Sequence, residues 1–440
     1  MRKIAIIGAG AAGCFCAAEL RQRLLDPKPV ETAASIPELN PKPKEKAGAH
    51  PMENKPEVEI DVYEAGPKPL AKVAITGGGR CNLTNTFEGL RSLAEAYPRG
   101  DKLMKRLLHG FSQEDTRRWF EKAGVPLVVQ EDHCVFPRSQ DAMDIVRALL
   151  RKMKGVNLRL RTPVRSIVPS PTGHLLVDGE AYDAVIVTTG GAPKGLPLLE
   201  GLDIEWVPTV PSLFTFTIRD EALRSLMGLV VEASLSIPGT SFRADGPLLL
   251  TDWGLSGPAA LKLSSYAARY LSETGYRAPL LVNWLASPEA QVREFLEELS
   301  AGNPRKQVAS TPPLSLQARL WNHLISKSGI RPDIRWAELG SKGLNRLVAT
   351  LTQDPYEIAG KTRFREEFVT AGGVALSAID PATLESRKYP GLYFAGEVLD
   401  IDAITGGFNL QAAWTTGYTV ARAVSMRMKG IPQFSANSPS

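Results

Sequence analysis

The sequence predicts an α/β fold assembled from both ends of the chain, with a β-rich module and a helical subdomain inserted between them. Three observations carry this. Lys3–Ile7 is a short apolar run that stops at the glycines Gly8, Gly10 and Gly13 and gives way to a helical pattern. Leu392–Ala395 is a second such run, again ending in glycine, and a helical pattern follows from about Asn409 to Met428. Between roughly 195 and 355 the periodicity changes to alternating short strands and then to helices.

Taken in order, the first helix is expected over about Ala11–Leu25. Pro27–Glu57 packs seven prolines, five lysines and five glutamates into 31 residues without an apolar period, and reads as an exposed, flexible insertion. Val58–Tyr63 alternates as a second parallel strand that ends at Glu64. Helices are expected over about Leu90–Leu108, Gln113–Ala123 and Gln140–Met153, then strands near Asn157–Leu160 and Leu175–Val177. The buried run Ala184–Val187 stops at Gly190-Gly191. In the inserted part, strands are expected at Leu213–Ile218, Val230–Ile237 and Pro247–Leu250, and helices at Ser256–Leu271, Pro288–Leu299, Ser315–Ile325 and Ala337–Leu351. The division is 1–194 with 356–440 for the discontinuous domain, 195–285 with part of 350–370 for the β-rich module, and 286–350 for the helices. Pro432–Ser440 reads as a frayed tail.

Composition narrows the class. A hydrophobic content of 43% with 22% charged residues is that of an ordinary globular protein, and no apolar run approaches membrane-spanning length. The cysteines at 14, 16, 81 and 134 make neither a CxxC pair nor a secreted-type framework, which points to reduced thiols in a cytoplasm. Five scattered histidines lack ligand spacing, so no metal site is expected. Net charge is +5, and the stretch 303–346 carries eight Lys or Arg against Asp333 and Glu338. That stretch reads as a solvated helical face in preference to a nucleic-acid patch.

Gly8-Ala9-Gly10-Ala11-Ala12-Gly13, directly after an apolar strand, has the form of a Rossmann dinucleotide fingerprint. Gly8 permits the tight turn, Gly10 the approach of a pyrophosphate and Gly13 the packing of helix on sheet. Glu64, at the end of the second strand, is the acidic residue placed to take ribose hydroxyls, delayed in sequence by the proline-rich insertion. Thr76-Gly77-Gly78-Gly79-Arg80-Cys81-Asn82-Leu83-Thr84-Asn85 offers a backbone that a flat ligand can approach, edged by donors. Near the end, Gly396-Glu397, Asp400 and Gly406-Gly407-Phe408-Asn409-Leu410 combine a carboxylate with a glycine-started helix whose dipole favours negative charge. Cys81 beside Arg80 raises the possibility of a lowered thiol pKa, against the plainer reading of a small packing residue. His133 and Arg138 flank an apolar turn and are further candidates to face substrate, with a purely structural turn as the alternative.

With GAGAAG at 8–13, TGGGRCNLTN at 76–85, VFPRSQDAMDIVRAL at 135–149, LSGPAAL at 255–261, TAGGV at 370–374 and GLYFAGEVLDIDAITGGFNLQAAWTTGY at 391–418, the chain resembles the BaiN/YhiN-like FAD-dependent oxidoreductases, which include aminoacetone oxidases. The resemblance runs from the first strand to the last helix. It implies an FAD domain from both chain ends, an inserted β-barrel-like domain and a helical domain. It implies further that Gly8, Gly10, Ala12, Gly13 and Glu64 hold the adenosine diphosphate half, with Val164 touching adenine through its backbone. Lys72, Gly79, Arg80, Cys81, Asn82 and Thr84 would lie near the phosphates or flavin. Gly190, Gly191, Gly396, Glu397, Asp400, Gly406, Gly407, Asn409 and Leu410 would line the ribityl chain and ring. The Pro27–Glu57 insertion and a short loop after Gly191 depart from the family pattern.

Flavin carries its own redox chemistry, so few catalytic side chains need be visible, and none is singled out. No second glycine fingerprint marks a separate nicotinamide domain. The expected activity is hydride transfer between a small organic substrate and FAD, with NAD(P)H as a transient electron donor; reduction of a conjugated carbonyl compound and amine oxidation both fit. The alternatives are a flavin-containing, nucleic-acid-associated protein that uses 303–346, and a flavin-bound sensor without turnover.

Overall fold

A computed structural model describes residues 1–25, 58–191, 196–313, 315–361 and 369–431. The proline-rich insertion and the tail expected at Pro432–Ser440 lie outside these residues. Five parallel strands form the central sheet in the order Leu392–Phe394, Ala184–Val187, Arg2–Ile7, Val58–Tyr63, Asn157–Arg159. Ile4, Ala5 and Ile6 are wholly buried, as are Ala184–Val187, which is why these strands read as continuous apolar runs. The strand at the carboxyl end of the sequence therefore pairs beside one from the middle, and the domain is discontinuous in the chain.

The first helix, Ala11–Leu24, packs against the last, Phe408–Met428, and the aromatic rings of Phe15, Phe120 and Trp414 meet between them at 5.4–6.3 Å. The single helix expected over Leu90–Leu108 is two, Leu93–Ala96 and Asp101–Leu108. Pro98 and the left-handed Gly100 (φ +80°) interrupt the period. Gln113–Lys122 starts at a capping box in which Ser112 and Asp115 exchange side-chain and backbone bonds. Ala142–Lys152 starts at Asp141, whose carboxylate accepts the Met143 N–H at 2.8 Å.

Beyond residue 205, Trp206–Ser212 pairs antiparallel with Val369–Val374 and joins the central domain to the insert. The strand expected over Leu213–Ile218 is reduced to Phe216–Thr217, because Leu213 takes a left-handed conformation (φ +55°). In the insert, Asp354–Ile358 pairs with Ala278–Asn283, and its continuation Gly360–Lys361 pairs with Phe216–Thr217 at the opposite edge. One bent strand thus closes the seven-strand sheet into a barrel. The helix expected over Ser256–Leu271 breaks at Ala267 into Pro258–Tyr266 and Ala268–Glu273, and Trp336–Thr352 is kinked at Gly340.

The barrel and the helices Glu289–Gly302, Ala318–Lys327 and Trp336–Thr352 share one apolar core that includes Trp284, Trp321 and Trp336. At their seam Asp354, almost fully buried, accepts the Trp284 indole N–H at 2.9 Å, and Lys327 Nζ lies 2.6 Å from its other oxygen. Removing the ammonium leaves a buried carboxylate with one donor, whereas removing both charges does not. Lys327→Met is therefore expected to cost about 1–3 kcal/mol, discounted for the partial exposure of Lys327. The double variant with Asp354→Asn should recover most of it in urea denaturation; a double variant as unstable as the single would show that the pair itself is not the cause.

Candidate functional site

The sequence motifs converge at the carboxyl ends of the central strands. Gly8, where the first strand stops, donates its N–H to Tyr63 O of the next strand at 2.8 Å, and its own carbonyl accepts the Thr188 hydroxyl at 2.8 Å. Glu64 is the first residue past that second strand. Its carboxylate accepts the Ala9 N–H at 3.0 Å and the Gly66 N–H at 2.7 Å, which fixes it against the glycine turn. Arg161 and Thr162 donate back to Gly66 O and Glu64 O, so the half-buried Val164 follows at the same edge. Leu70 donates to Ala9 O and starts the short helix Ala71–Ile75, which carries Lys72.

The glycines divide by what a side chain would meet. A Cβ at Gly13 would enter the Gly8 carbonyl, one at Gly8 would press Thr188, and one at Gly191 would strike Thr370 and come within 2.9 Å of Glu397. These glycines are required by the protein's own packing. Gly10 is different: its φ is −83°, open to any residue, and a Cβ there would touch no protein atom within 4 Å. The fold gives no reason for glycine at position 10, whereas a ligand laid against the start of the first helix does. Gly78 and Gly79 are equally uncrowded, although their positive φ supplies a backbone reason as well. The donor set fits a dinucleotide of the FAD type: a ribose-side carboxylate, a helix start for the pyrophosphate and glycine turns for the ring.

Glu397 stands at the centre of the second half of the site. It accepts the Thr370 N–H at 2.8 Å, lies 3.7 Å from the exposed Lys72 amine and is flanked by Gly190 and Gly191. Gly396 donates to the Thr416 hydroxyl at 2.9 Å and approaches Ala12 closely. Four residues of the string 82–85 then grip the start of the last helix. The Asn82 amide, in the orientation that satisfies both neighbours, donates to Thr84 O and accepts the Gly407 N–H at 3.3 Å. Leu83 O accepts the Trp414 indole N–H at 3.0 Å, Thr84 donates to Gln411 at 2.6 Å, and Asn85 donates to Gly406 O at 3.1 Å. Thr84 is fully buried, so its hydroxyl acts through the helix and not as an exposed donor to phosphate or flavin. Asn409 likewise spends its side chain on the N–H and carbonyl of Ala403, and Leu410 is partly buried against the core.

Cys81 is left-handed (φ +60°) and wholly buried, and burial pushes its thiol up to about 12. The possibility of a lowered thiol pKa is thereby corrected: Arg80 turns away, its guanidinium stacked over the Phe136 ring at 4.7 Å. Cys14 and Cys16 are buried in the first helix. The apolar residues between His133 and Arg138 form a strand, Cys134–Pro137, where a turn was expected; His133 lies 3.7 Å from Glu88, and Arg138 is exposed.

Asp400 faces the insert. Arg269 Nη2 lies 3.7 Å from its Oδ1, Arg99 and Asp402 stand nearby, and the Gly372 N–H bonds to its carboxylate. Burial is the chief effect and raises its pKa. Two residues on, the fully buried Asp402 takes the Arg99 guanidinium in a two-pronged pair and the Ser212 hydroxyl at 2.9 Å. Thr188, Thr370, Arg99 and Arg269 are site-supporting residues that sequence reasoning missed, while Asp402 and Gln411 stand in the sequence only as members of the string near 400–411, with no role of their own. Thr370, Asp402 and Gln411 lie inside family strings, whereas Arg99 and Arg269 carry no signal in sequence.

Gly13→Ala should cost about 1–3 kcal/mol or more through overlap with backbone, while Gly10→Ala should cost under about 1 kcal/mol yet lose FAD; equal loss of stability in both would refute the division. Because the folded pKa of Asp400 is raised, its contribution is fully present below the unfolded value of about 4 and is lost as pH rises through the folded value. Asp400→Asn should therefore gain stability relative to wild type as pH rises from about 4 toward neutral, and parallel pH profiles in chemical denaturation would contradict this.

Residues 48–423 match the family described as HI0933-like protein Rossmann domain. A ribosomal RNA dihydrouridine synthase of Escherichia coli (strain K12) is 30% identical over 95% of this chain and 96% of its own length. A 3-dehydro-bile acid delta(4,6)-reductase of Clostridium scindens is 29% identical over 84% of this chain and 94% of its own. A ribosomal RNA dihydrouridine synthase of Haemophilus influenzae is 28% identical over 96% of this chain and 98% of its own. With a family match over most of its length and full-length relatives, the chain belongs to the HI0933-like Rossmann-domain family of FAD-dependent oxidoreductases.

Proposed function

We propose that this protein is an FAD-dependent reductase that adds two hydrogens to a carbon–carbon double bond conjugated to a carbonyl in a small organic substrate, with NAD(P)H as electron donor, in the cytoplasm. The observation that carries the cofactor is Gly10, a glycine that the fold does not need, set between Glu64 and the start of the first helix. Support for the reaction comes from the relatives: a dihydrouridine synthase and a delta(4,6)-reductase are both named for saturating such a bond. FAD supplies the hydride chemistry when bound. The chain's own part is to orient it: Glu64 toward the ribose hydroxyls, the first helix start toward the pyrophosphate, Glu397 with Lys72 and Gly190-Gly191 toward the ribityl chain, and the start of the last helix toward the ring.

A second reading takes the substrate to be a uracil base within RNA. It is favoured by the names of two relatives and by the exposure of all eight basic residues in 303–346. Half of those cations are already committed: Arg319 to Ser225 O, Lys327 to Asp354, Arg331 to Asp333 and Arg346 to Gly329 O. That leaves Arg305, Lys306, Arg335 and Lys342, beside a helix bearing Glu289, Glu294, Glu297 and Glu298. The small-molecule reading therefore stands first.

Purified protein is expected to be yellow, to release FAD on denaturation and to bleach on anaerobic addition of NADH or NADPH. An α,β-unsaturated ketone should restore the colour. Bleaching that only uracil-containing RNA reverses, with binding that weakens steeply in salt, would move the second reading to first place. Retained FAD that no nicotinamide bleaches would overturn the reductase assignment and turn the search to oxidation of amines.

A further inference from the structure

A directional chain of hydrogen bonds runs behind the start of the last helix. The Thr84 hydroxyl donates to Gln411 Oε1 at 2.6 Å, Gln411 Nε2 donates to the Thr415 hydroxyl at 2.9 Å, and Thr415 donates to Phe111 O at 3.0 Å. Thr84, Gln411 and Thr415 are all without solvent exposure. The Thr84 hydroxyl has one further acceptor, Asn85 O at 3.4 Å, but reversing the links would take from the Phe111 carbonyl its Thr415 donor. A second contact acts on the same turn: Asn82 occupies the Gly407 N–H. Of the N–H groups in the first turn, those of Phe408, Asn409 and Leu410 then have no bonding partner among the described residues.

We propose that Thr84 and Gln411 are positioning residues that set the reduction potential of the bound FAD. They lock the rotation of the last helix, while Asn82 removes Gly407 from the donor set, so that the N–H groups of Asn409 and Leu410 are the ones held toward the ring. Reduction places negative charge on the ring, and donors with a helix dipole behind them stabilise the reduced form more than the oxidised one. A helix that merely packs would bind both redox forms equally. The inference rests on the proposed orientation of FAD in this site.

The test compares Thr84→Val, Thr84→Ser, Gln411→Met and Asn82→Ala, full-length and loaded with FAD, by reductive titration against a reference dye and by FAD binding to the stripped protein. Thr84→Val and Gln411→Met are expected to favour the oxidised form by about tenfold, which is a potential about 30 mV more negative for a two-electron couple. Binding of oxidised FAD should change by less than that factor, and Thr84→Ser should restore the potential. Asn82→Ala, at a partly exposed position, provides an independent variant should the buried substitutions prevent folding, and it too should shift the potential. Folded variants whose potentials match wild type overturn the inference while leaving the FAD assignment intact. A wild-type protein that takes up no FAD overturns both.

Discussion

The close crossing of the first and last helices is the constraint on which the rest of the structure depends. It is possible only because the contacting residues are small. A Cβ at Gly417 would lie 2.9 Å from Ala12 O, and one at Gly396 would lie 2.8 Å from the Ala12 side chain. Larger residues would force the helices apart and with them the strands Arg2–Ile7 and Leu392–Phe394, separated in the sheet only by Ala184–Val187. The crossing brings the glycine turn at 8–13 beside Gly396-Glu397, so two segments nearly 400 residues apart form one ligand edge. Phe15 against Trp414 then seals the gap from the core side.

What the sequence revealed follows the range over which each constraint acts. The central strands were legible because they are buried on both faces and stop at glycines, and the start of the first helix because the fingerprint fixes its spacing. Short-range interruptions were lost when the window was too coarse: Pro98 and Gly100 divide one expected helix, and the left-handed Leu213 shortens an expected strand. Barrel closure was hidden for a different reason. It depends on one strand, Asp354–Lys361, pairing with partners about 75 and 140 residues earlier, and no local pattern encodes such a pairing. At the site, residues set by the glycine spacing are legible in the sequence, whereas some that act through another residue read as if they faced the ligand. Thr84 and Asn409 are of this kind: polar, in the right string, and spent on Gln411 and Ala403.

The junction with the inserted barrel shows how two similar pairs come to differ. Asp402 is fully buried, yet three donors answer its two oxygens, two from Arg99 and one from Ser212, so its charge is compensated where it stands. Asp400 is also mostly buried, but its Oδ1 and the facing Arg269 Nη2 each lack a hydrogen bond within the structure. Desolvation accordingly outweighs attraction, and its pKa rises. Arg99 also bonds Ser265 O of the insert at 2.9 Å, so a single guanidinium ties the loop 400–402 to the helix Pro258–Tyr266 of the barrel domain. The position of the insert relative to the glycine loops is thus set by the Arg99 cluster, with Arg269 contributing a weaker, incompletely satisfied tie.

The geometry of the crossing also bears on the size of the ligand. The helices meet at Ala12, one residue inside the first helix, and at Gly417, nine residues inside the last. At 1.5 Å per residue the start of the last helix therefore lies about 14 Å along its axis from the point where the first one begins. Both starts are positive ends whose first N–H groups have no partner among the described residues. A phosphate alone can engage only one of them. An elongated molecule with a negative centre near its middle and a second electron-rich group at one end answers both, with Glu64 held against Ala9 beside the first start. That is the charge pattern of FAD, in keeping with the orientation proposed for it.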